Sequence, residues 1–186
     1  VGGVSLKSNT TGDNNTACGY YALNANTTGA RNVAIGAEAL DASVGINDNV
    51  AIGYQAQTSN TGNGATANTG ASNIAIGSYA LKSLNSTSSG DSIQNVAIGV
   101  EAMESSTSAY RNVAIGFRAF ESNQTQNNTV AVGWYALRES VSGGSNTALG
   151  HYTLTRTTTG ASNTAVGNAT LPVSYTHLTL PTIQPV

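Results

Sequence analysis

The sequence predicts an all-β protein, a parallel β-roll or solenoid built from 17-residue repeats. A five-residue frame of the type Asn-Val-Ala-Ile-Gly recurs along the chain, and Arg-Asn-Val-Ala-Ile-Gly occurs twice, at residues 31–36 and 111–116. Most of the frame's glycines are 17 residues apart, and two of the intervals are longer. The repeat glycines are Gly19, Gly36, Gly53, Gly77, Gly99, Gly116, Gly133, Gly150 and Gly167.

A unit of this length cannot bury its own apolar face, so neighbouring copies must stack and share a core, as they do in a solenoid. The chain opens inside a copy, because Gly2 lies one period before Gly19. We therefore expect residues 1–172 to form one repeat domain of nine full copies and a partial one, truncated at both ends.

The Val-Ala-Ile segment has the character of a short strand. Its β-branched residues are two positions apart and share one face, while Ala and Gly share the other. Fully extended, a repeat spans about 56 Å, which suffices for two short strands and two turns. This favours a flattened roll with the small residues inside, where the walls approach closely, and the large apolar residue that ends each unit filling the remaining space.

This orientation places a ladder of β-branched residues on the outside of the roll. So long an apolar row should be covered, and we expect other subunits to cover it. The opposite orientation, with this row inside and Ala and Gly outside, permits a monomer and stays open. The apolar ladder comprises Val33, Ile35, Val50, Ile52, Ile74, Ile76, Val96, Ile98, Val113, Ile115, Val130 and Val132.

The segments between frames carry turn residues such as Thr-Thr-Gly and Asn-Asp-Asn. The Asn that ends each segment is expected to bond backbone groups and to stack on its counterparts along the roll. Two segments are longer, Thr58 to Asn73 and Lys82 to Asn95. Insertions in a solenoid map to one edge as protruding loops, where recognition is often located.

Residues 173–186 break the repeat, since Pro181 and Gln184 stand where a strand and a glycine are due. This segment resembles a translated sequencing adapter. We therefore set it aside as a non-native tail.

Composition and spacing exclude several function classes. Only 9% of the residues are charged and the net charge is -2, so there is no basic stripe for nucleic acid. No catalytic constellation and no carboxylate spacing of a metal site is visible, so we expect neither enzyme activity nor a cofactor. His151 is interpreted as a surface residue, and Cys18 as a small buried apolar residue.

Aromatic residues concentrate at the two positions after the repeat glycines and would line one edge of the roll. Such an edge can stack on sugar rings or anchor a protein partner. The alternative is that the rings pack over the turns and shield the core. The candidate binding edge comprises Tyr21, Tyr79, Trp134, Tyr135 and Tyr152, of which Trp134 and Tyr135 are the preferred pair.

The recurring Asn-Val-Ala-Ile-Gly frame resembles the head repeats of the YadA-like trimeric autotransporter adhesins, and it is also similar to repeats of phage tail fibres. The resemblance covers residues 1 to about 172 and implies a left-handed parallel β-roll assembled as a homotrimer. The period is longer than is usual in the adhesins, and Asn-Thr-Ala replaces Asn-Val-Ala in some copies. Both features are closer to the tail-fibre variants.

The resemblance implies a non-enzymatic adhesin head on the bacterial outer surface that attaches to host glycan or matrix protein. A phage or prophage tail-fibre segment for host recognition is the main alternative, with a virion as its location. A structural spacer and an ice-binding solenoid also stay open, although the latter requires a regular threonine row. No membrane insertion is expected of this fragment.

Overall fold

The computed structural model describes residues 2–59, 71–84 and 93–170, and these residues form the predicted all-β solenoid. Their regular structure is a single parallel sheet, in which nine strands follow one another in chain order. No helix among them is long and apolar enough to cross a bilayer. The strands are β1 (Thr16–Cys18), β2 (Val33–Ile35), β3 (Val50–Ile52), β4 (Ile74–Ile76), β5 (Val96–Ile98), β6 (Val113–Ile115), β7 (Val130–Val132), β8 (Thr147–Leu149) and β9 (Thr164–Val166).

The strand register follows the sequence repeat throughout. Each central alanine pairs with the central alanine of the next strand, as Ala17 does with Ala34. The two long segments leave this register unchanged, since Ala51 pairs with Ala75 and Ala75 with Ala97. Residues 60–70 and 85–92, which hold the expected protruding loops, lie outside the described residues, as does the adapter-like tail.

The strands turn their alanines inward and their flanking residues outward. Ala34, Ala51 and Ala114 are fully buried, whereas the first and third residues of their strands are at least partly exposed. The alternative with the β-branched row inside the roll is therefore wrong. The expectation that Cys18 is buried is also wrong, because it ends β1 in the outward-facing row and is exposed.

The opposite wall differs from the expected second strand. Within the described part of the chain it consists of turns in which every second residue has a positive φ, such as Glu38 at 59° and Leu40 at 52°. These residues still bond to neighbouring turns: the Leu40 N–H donates to the Ala56 carbonyl at 3.1 Å, and the Glu38 N–H to the Tyr20 carbonyl at 2.8 Å. The turns of this wall are thus joined by backbone hydrogen bonds, as strands of a sheet are, but their residues do not have strand geometry.

Large apolar side chains of this wall fill the core, as the sequence predicts. A left-handed conformation costs a bulky residue about 1–2 kcal/mol, while burying a Leu-sized side chain contributes about 1.5–3 kcal/mol. Burial therefore offsets the backbone strain at each position. The fully buried members are Leu23, Leu40, Leu81, Met103, Phe120, Leu137 and Leu154.

The repeat glycines form the corner between the two walls. Gly116 has a φ of +134°, and a Cβ placed on it would lie 2.4 Å from the carbonyl oxygen of Gly133 in the next turn. Both the backbone conformation and the close approach require glycine here. Gly2 occupies the same position relative to Gly19, so the partial first copy belongs to the roll.

The expected asparagine row is present as a buried amide ladder. The Asn32 Oδ1 accepts the backbone N–H of Asn49 at 3.0 Å and its side-chain N–H at 3.2 Å. The Asn49 Oδ1 accepts the same two groups from Asn73. In this way each turn's carboxamide satisfies buried donors of the next turn, which would otherwise cost about 1–3 kcal/mol each.

Thr129 interrupts the amide ladder, and we predict that Thr129→Asn stabilises the fold. Thr129 is buried and its Oγ1 accepts the Asn146 N–H only at 3.4 Å. An asparagine restores a short acceptor and a side-chain donor, so we expect a gain of about 0.5–1.5 kcal/mol. Denaturant unfolding followed by circular dichroism measures it.

The matched control is Asn112→Thr, which creates the same interruption one turn earlier and should lower stability by a similar amount. Equal stability of Thr129→Asn and the parent chain would contradict a stabilising role for the ladder.

Gln57 occupies a core position that holds Leu, Met or Phe in eight other described turns, and we predict that Gln57→Leu is stabilising. Its Nε2 donates to the Asn49 Oδ1 at 3.0 Å, but its buried Oε1 has no hydrogen-bond partner among the described residues. Removing an unsatisfied buried acceptor should raise the free energy of unfolding by about 1–3 kcal/mol. Thermal unfolding measures the change, with Gln55→Leu on the outer surface of the same turn as the control. A lower melting temperature for Gln57→Leu would contradict the prediction.

Candidate interaction surfaces

The outer face of the sheet carries the apolar ladder as one continuous strip. With about 4.8 Å between neighbouring strands, the six strands β2 to β7 extend the strip over roughly 24 Å. Its side chains stay accessible: Ile35 is 40% exposed and Ile115 is 37% exposed. The twelve ladder residues named from the sequence all lie in this strip, on β2 to β7. An apolar strip of this length is typical of a surface that another molecule covers.

A polar row borders the strip on the side where each strand begins. Arg31 and Asp48, one turn apart, form an exposed ion pair with 2.6 Å between Nε and Oδ1. The hydrogen bond from Arg31 lowers the pKa of Asp48. In the second Arg-Asn-Val-Ala-Ile-Gly copy, the Arg111 Nε donates to the Gln94 Oε1 at 3.3 Å. The identical hexapeptides thus occupy equivalent positions, and their arginines bond different partners.

The glycine corner and the aromatic edge border the strip on the other side. Five rings meet in the C-terminal half of the roll and form what we call the ring cluster. Trp134 and Tyr135 are stacked with centroids 5.8 Å apart, and Tyr135 and Tyr152 are stacked at 5.1 Å. Phe117 and His151 contact this row edge-on, at 5.8 Å and 5.5 Å from Trp134.

The structure brings together three of the five residues proposed for the binding edge. Trp134, Tyr135 and Tyr152 belong to the ring cluster, whereas Tyr21 contacts Tyr20 and Tyr79 contacts Tyr54. These two pairs lie nearer the N-terminus. His151 is exposed, as expected, but its ring packs 4.4 Å from that of Tyr152. Sequence reasoning did not include it in the edge, although it follows Gly150 directly.

The tyrosine pairs differ in their electrostatic surroundings. The negative charge of Glu38 is the main factor that raises the pKa of Tyr54. A side-chain hydrogen bond with Tyr21 is the main cause of the raised pKa of Tyr20. Both phenols therefore stay neutral and able to donate hydrogen bonds at ordinary pH.

Paired charges surround the ring cluster. The Arg118 guanidinium lies over the Phe117 ring at 5.2 Å, and that of Arg138 over the Tyr135 ring at 4.9 Å. Glu139 bonds Arg138 and also lies 3.4 Å from Arg156. Each arginine that lies over a ring thus contacts a carboxylate, Arg118 that of Glu101 and Arg138 that of Glu139.

Stacking of the turns also creates an acidic group that the linear spacing concealed. Carboxylate oxygens of Glu101, Glu104 and Glu121 lie within 4.8 Å of one another. Arg118 lies 2.5 Å from Glu101 and 3.9 Å from Glu121, so this group is partly neutralised. Burial is the main factor that raises the pKa of Glu121. Writing the sequence in rows of 17 aligns Glu104 above Glu121 and could have revealed this group.

The turns before β6 to β9 enclose a shallow polar depression of about 320 Å³, lined by residues that include Tyr110, Asn127 and Gly144. The Asn127 Oδ1 accepts the Tyr110 backbone N–H at 2.9 Å, so this carboxamide holds two turns together. The depression has no convergent charged groups in its lining, and it offers less for recognition than the ring cluster does.

Comparison with known proteins gives no match: no family model, no curated protein and no solved structure is significantly similar to this chain.

Proposed function

We propose that this chain is a non-enzymatic attachment module, the head of a homotrimeric adhesin on a bacterial outer surface. The observation that carries the proposal is the outward-facing apolar ladder, which runs unbroken from β2 to β7. Water-exposed Val and Ile rows of this regularity are best accounted for by a partner with the same periodicity. A second and a third copy of the roll have that periodicity.

A threefold arrangement suits the shape of the strip. The strip is about 24 Å long and only two side chains wide, so its area is much smaller than the roughly 800 Å² that each partner contributes to a standard interface. Three strips around one axis, each touching two neighbours, bury the ladder along its whole length. The polar row with Arg31 and Asp48 and the glycine corner then form the rim of each contact.

In such a trimer the opposite wall of each roll faces outward, together with the ring cluster. These surfaces are the proposed contacts with host glycan or matrix protein. Three copies on one rigid body bind a multivalent surface more tightly than one copy does, because the later contacts are intramolecular. Weak individual contacts are therefore sufficient for attachment.

The alternative is a segment of a phage tail fibre, in which the same trimer belongs to a virion and the same surfaces contact the host. A structural spacer without a ligand is favoured by a different observation, the hydrogen bonds that continue from turn to turn in both walls. Stiffness serves either function. The exposed side chains of the ring cluster, which are not part of the backbone hydrogen bonds between turns, favour attachment over a spacer role.

Assembly is tested by the mass in solution of the full chain fused to a short, cleavable trimerising coiled coil. We predict a trimer that persists after cleavage, because the buried ladder holds it. The double substitution Ile98→Asp and Ile115→Asp should yield monomers, since it places two carboxylates in the apolar contact.

Gln124→Asp, an exposed change away from the strip, is the control and should leave the trimer intact. Circular dichroism checks that all variants keep their β structure. A folded monomer of the parent chain after cleavage would refute the assembly.

Attachment is tested with beads that carry either the trimer or the Ile98→Asp, Ile115→Asp monomer at equal chain density. We expect the trimer to bind host epithelial cells or immobilised matrix proteins on the order of 100-fold more tightly, through avidity. Retention under flow measures the difference. If trimer-coated beads are retained no better than uncoated beads on every surface, the spacer role replaces attachment.

A further inference from the structure

We infer that the ring cluster is a stacking platform for a neutral oligosaccharide. The inference deepens the proposed function and rests on it, because it names the ligand class of one outward-facing surface of the attachment module. It is carried by the orientation of the rings, by their exposure and by the balanced charges beside them.

The rings of Trp134, Tyr135 and Tyr152 form one nearly parallel row. The planes of Trp134 and Tyr135 differ by 29° and those of Tyr135 and Tyr152 by 26°. Trp134 is 52% exposed and Tyr152 is 38% exposed. The core beneath is already complete, since Ala136 and Leu137 are fully buried. The rings therefore present aromatic surface to solvent in addition to any shielding of the core.

The row of rings ends at Tyr152, and the place beyond it, where the next turn has no ring, is called the step. Tyr135 covers one face of the Tyr152 ring, and the next turn carries Ala169 at the equivalent position in place of a ring. Among the described residues no ring of this turn covers the other face of Tyr152, so that face can take a ring-sized group. The Asn168 carboxamide lies beside this step, with its Oδ1 3.2 Å from the His151 Nδ1. The Tyr152 ring and the Asn168 carboxamide thus lie next to the same space.

A pyranose ring fits this combination of groups. Its C–H groups carry slight positive charge and pack on the electron-rich face of an aromatic ring. Its hydroxyls both donate and accept, and planar guanidinium, carboxylate and carboxamide groups are suitable partners. Arg138, Glu139 and Asn168 supply one of each within the same three turns.

The charges select a neutral sugar over an anionic one. Arg138 and Arg156 both contact Glu139, and Arg118 contacts Glu101 and Glu121. Taken together, three arginines face three carboxylates, so the group has no net positive charge to attract a sulfate, a phosphate or a sialic acid carboxylate. A protein partner is less well matched, because hot spots for proteins lie in fully desolvated pockets, whereas these rings stand on an open edge among charged side chains.

Trp134 is the only tryptophan in the chain, so selectively excited tryptophan fluorescence reports on this surface alone. The probes are linear hexasaccharides of glucose, mannose, galactose and N-acetylglucosamine, with a heparin hexasaccharide as the anionic comparison. We expect a saturable change in Trp134 emission with at least one neutral probe, at a dissociation constant on the order of 1 mM, and no such change with heparin.

Tyr152→Ala should weaken that binding at least tenfold, because it removes the free ring face, while Trp134 remains as the reporter. Tyr54→Ala is the matched control, an exposed tyrosine of the same edge outside the ring cluster, and should leave binding unchanged. A response to heparin alone, or none to any neutral probe, overturns the inference. So does conversion of the trimer to monomers by Tyr152→Ala, since the rings would then be a subunit contact.

The mass in solution separates this inference from the proposed function. A stable trimer whose fluorescence ignores every neutral probe rejects the saccharide platform and leaves the attachment module standing. A monomer that still binds a probe through Tyr152 rejects the trimer and keeps the platform.

Discussion

Hydrogen bonding between each turn and the next, at the spacing of parallel strands, is the constraint on which this structure depends. It places equivalent residues of successive turns about 4.8 Å apart. At that distance a Cβ on Gly116 would meet the carbonyl of Gly133, so the corner must be glycine. The same distance lets the Asn32 carboxamide reach both donors of Asn49. The spacing between successive turns therefore accounts for the glycine corner, the amide ladder and the strand register.

The spacing also turns each sequence position into a row on the surface, so the surface chemistry depends on which residues follow one another at intervals of one repeat. Opposite charges in one row form ion pairs, as Glu101 and Arg118 do. Like charges in one row, such as Glu104 and Glu121, need cations nearby, which Lys82 in the same row and Arg118 in another row provide. Aromatic residues in adjacent rows become a stack. Recognition by such a roll is a property of rows rather than of single side chains.

Much of the fold could be predicted from the sequence because its two strongest signals are local. The spacing of the glycines predicts the repeat, and the alternation in Val33, Ala34 and Ile35 predicts that the two faces of the strand differ, although it leaves open which of them is buried. The second wall could not be predicted, because a residue such as Leu40 at a φ of 52° has no local sequence signal and is held there by its neighbours. The ring row was predictable from positions after glycine. Its extension to His151 and the grouping of three glutamates depend on contacts between turns.

The unchanged register across the two long segments gives this architecture a particular freedom. Ala51 pairs with Ala75 and Ala75 with Ala97 as regularly as alanines one standard repeat apart. A turn can therefore gain or exchange residues between its walls while the turns on either side keep their hydrogen bonds. Variation in such a protein is modular. Residues that form a new surface can be inserted into one turn without lowering the stability of the other turns.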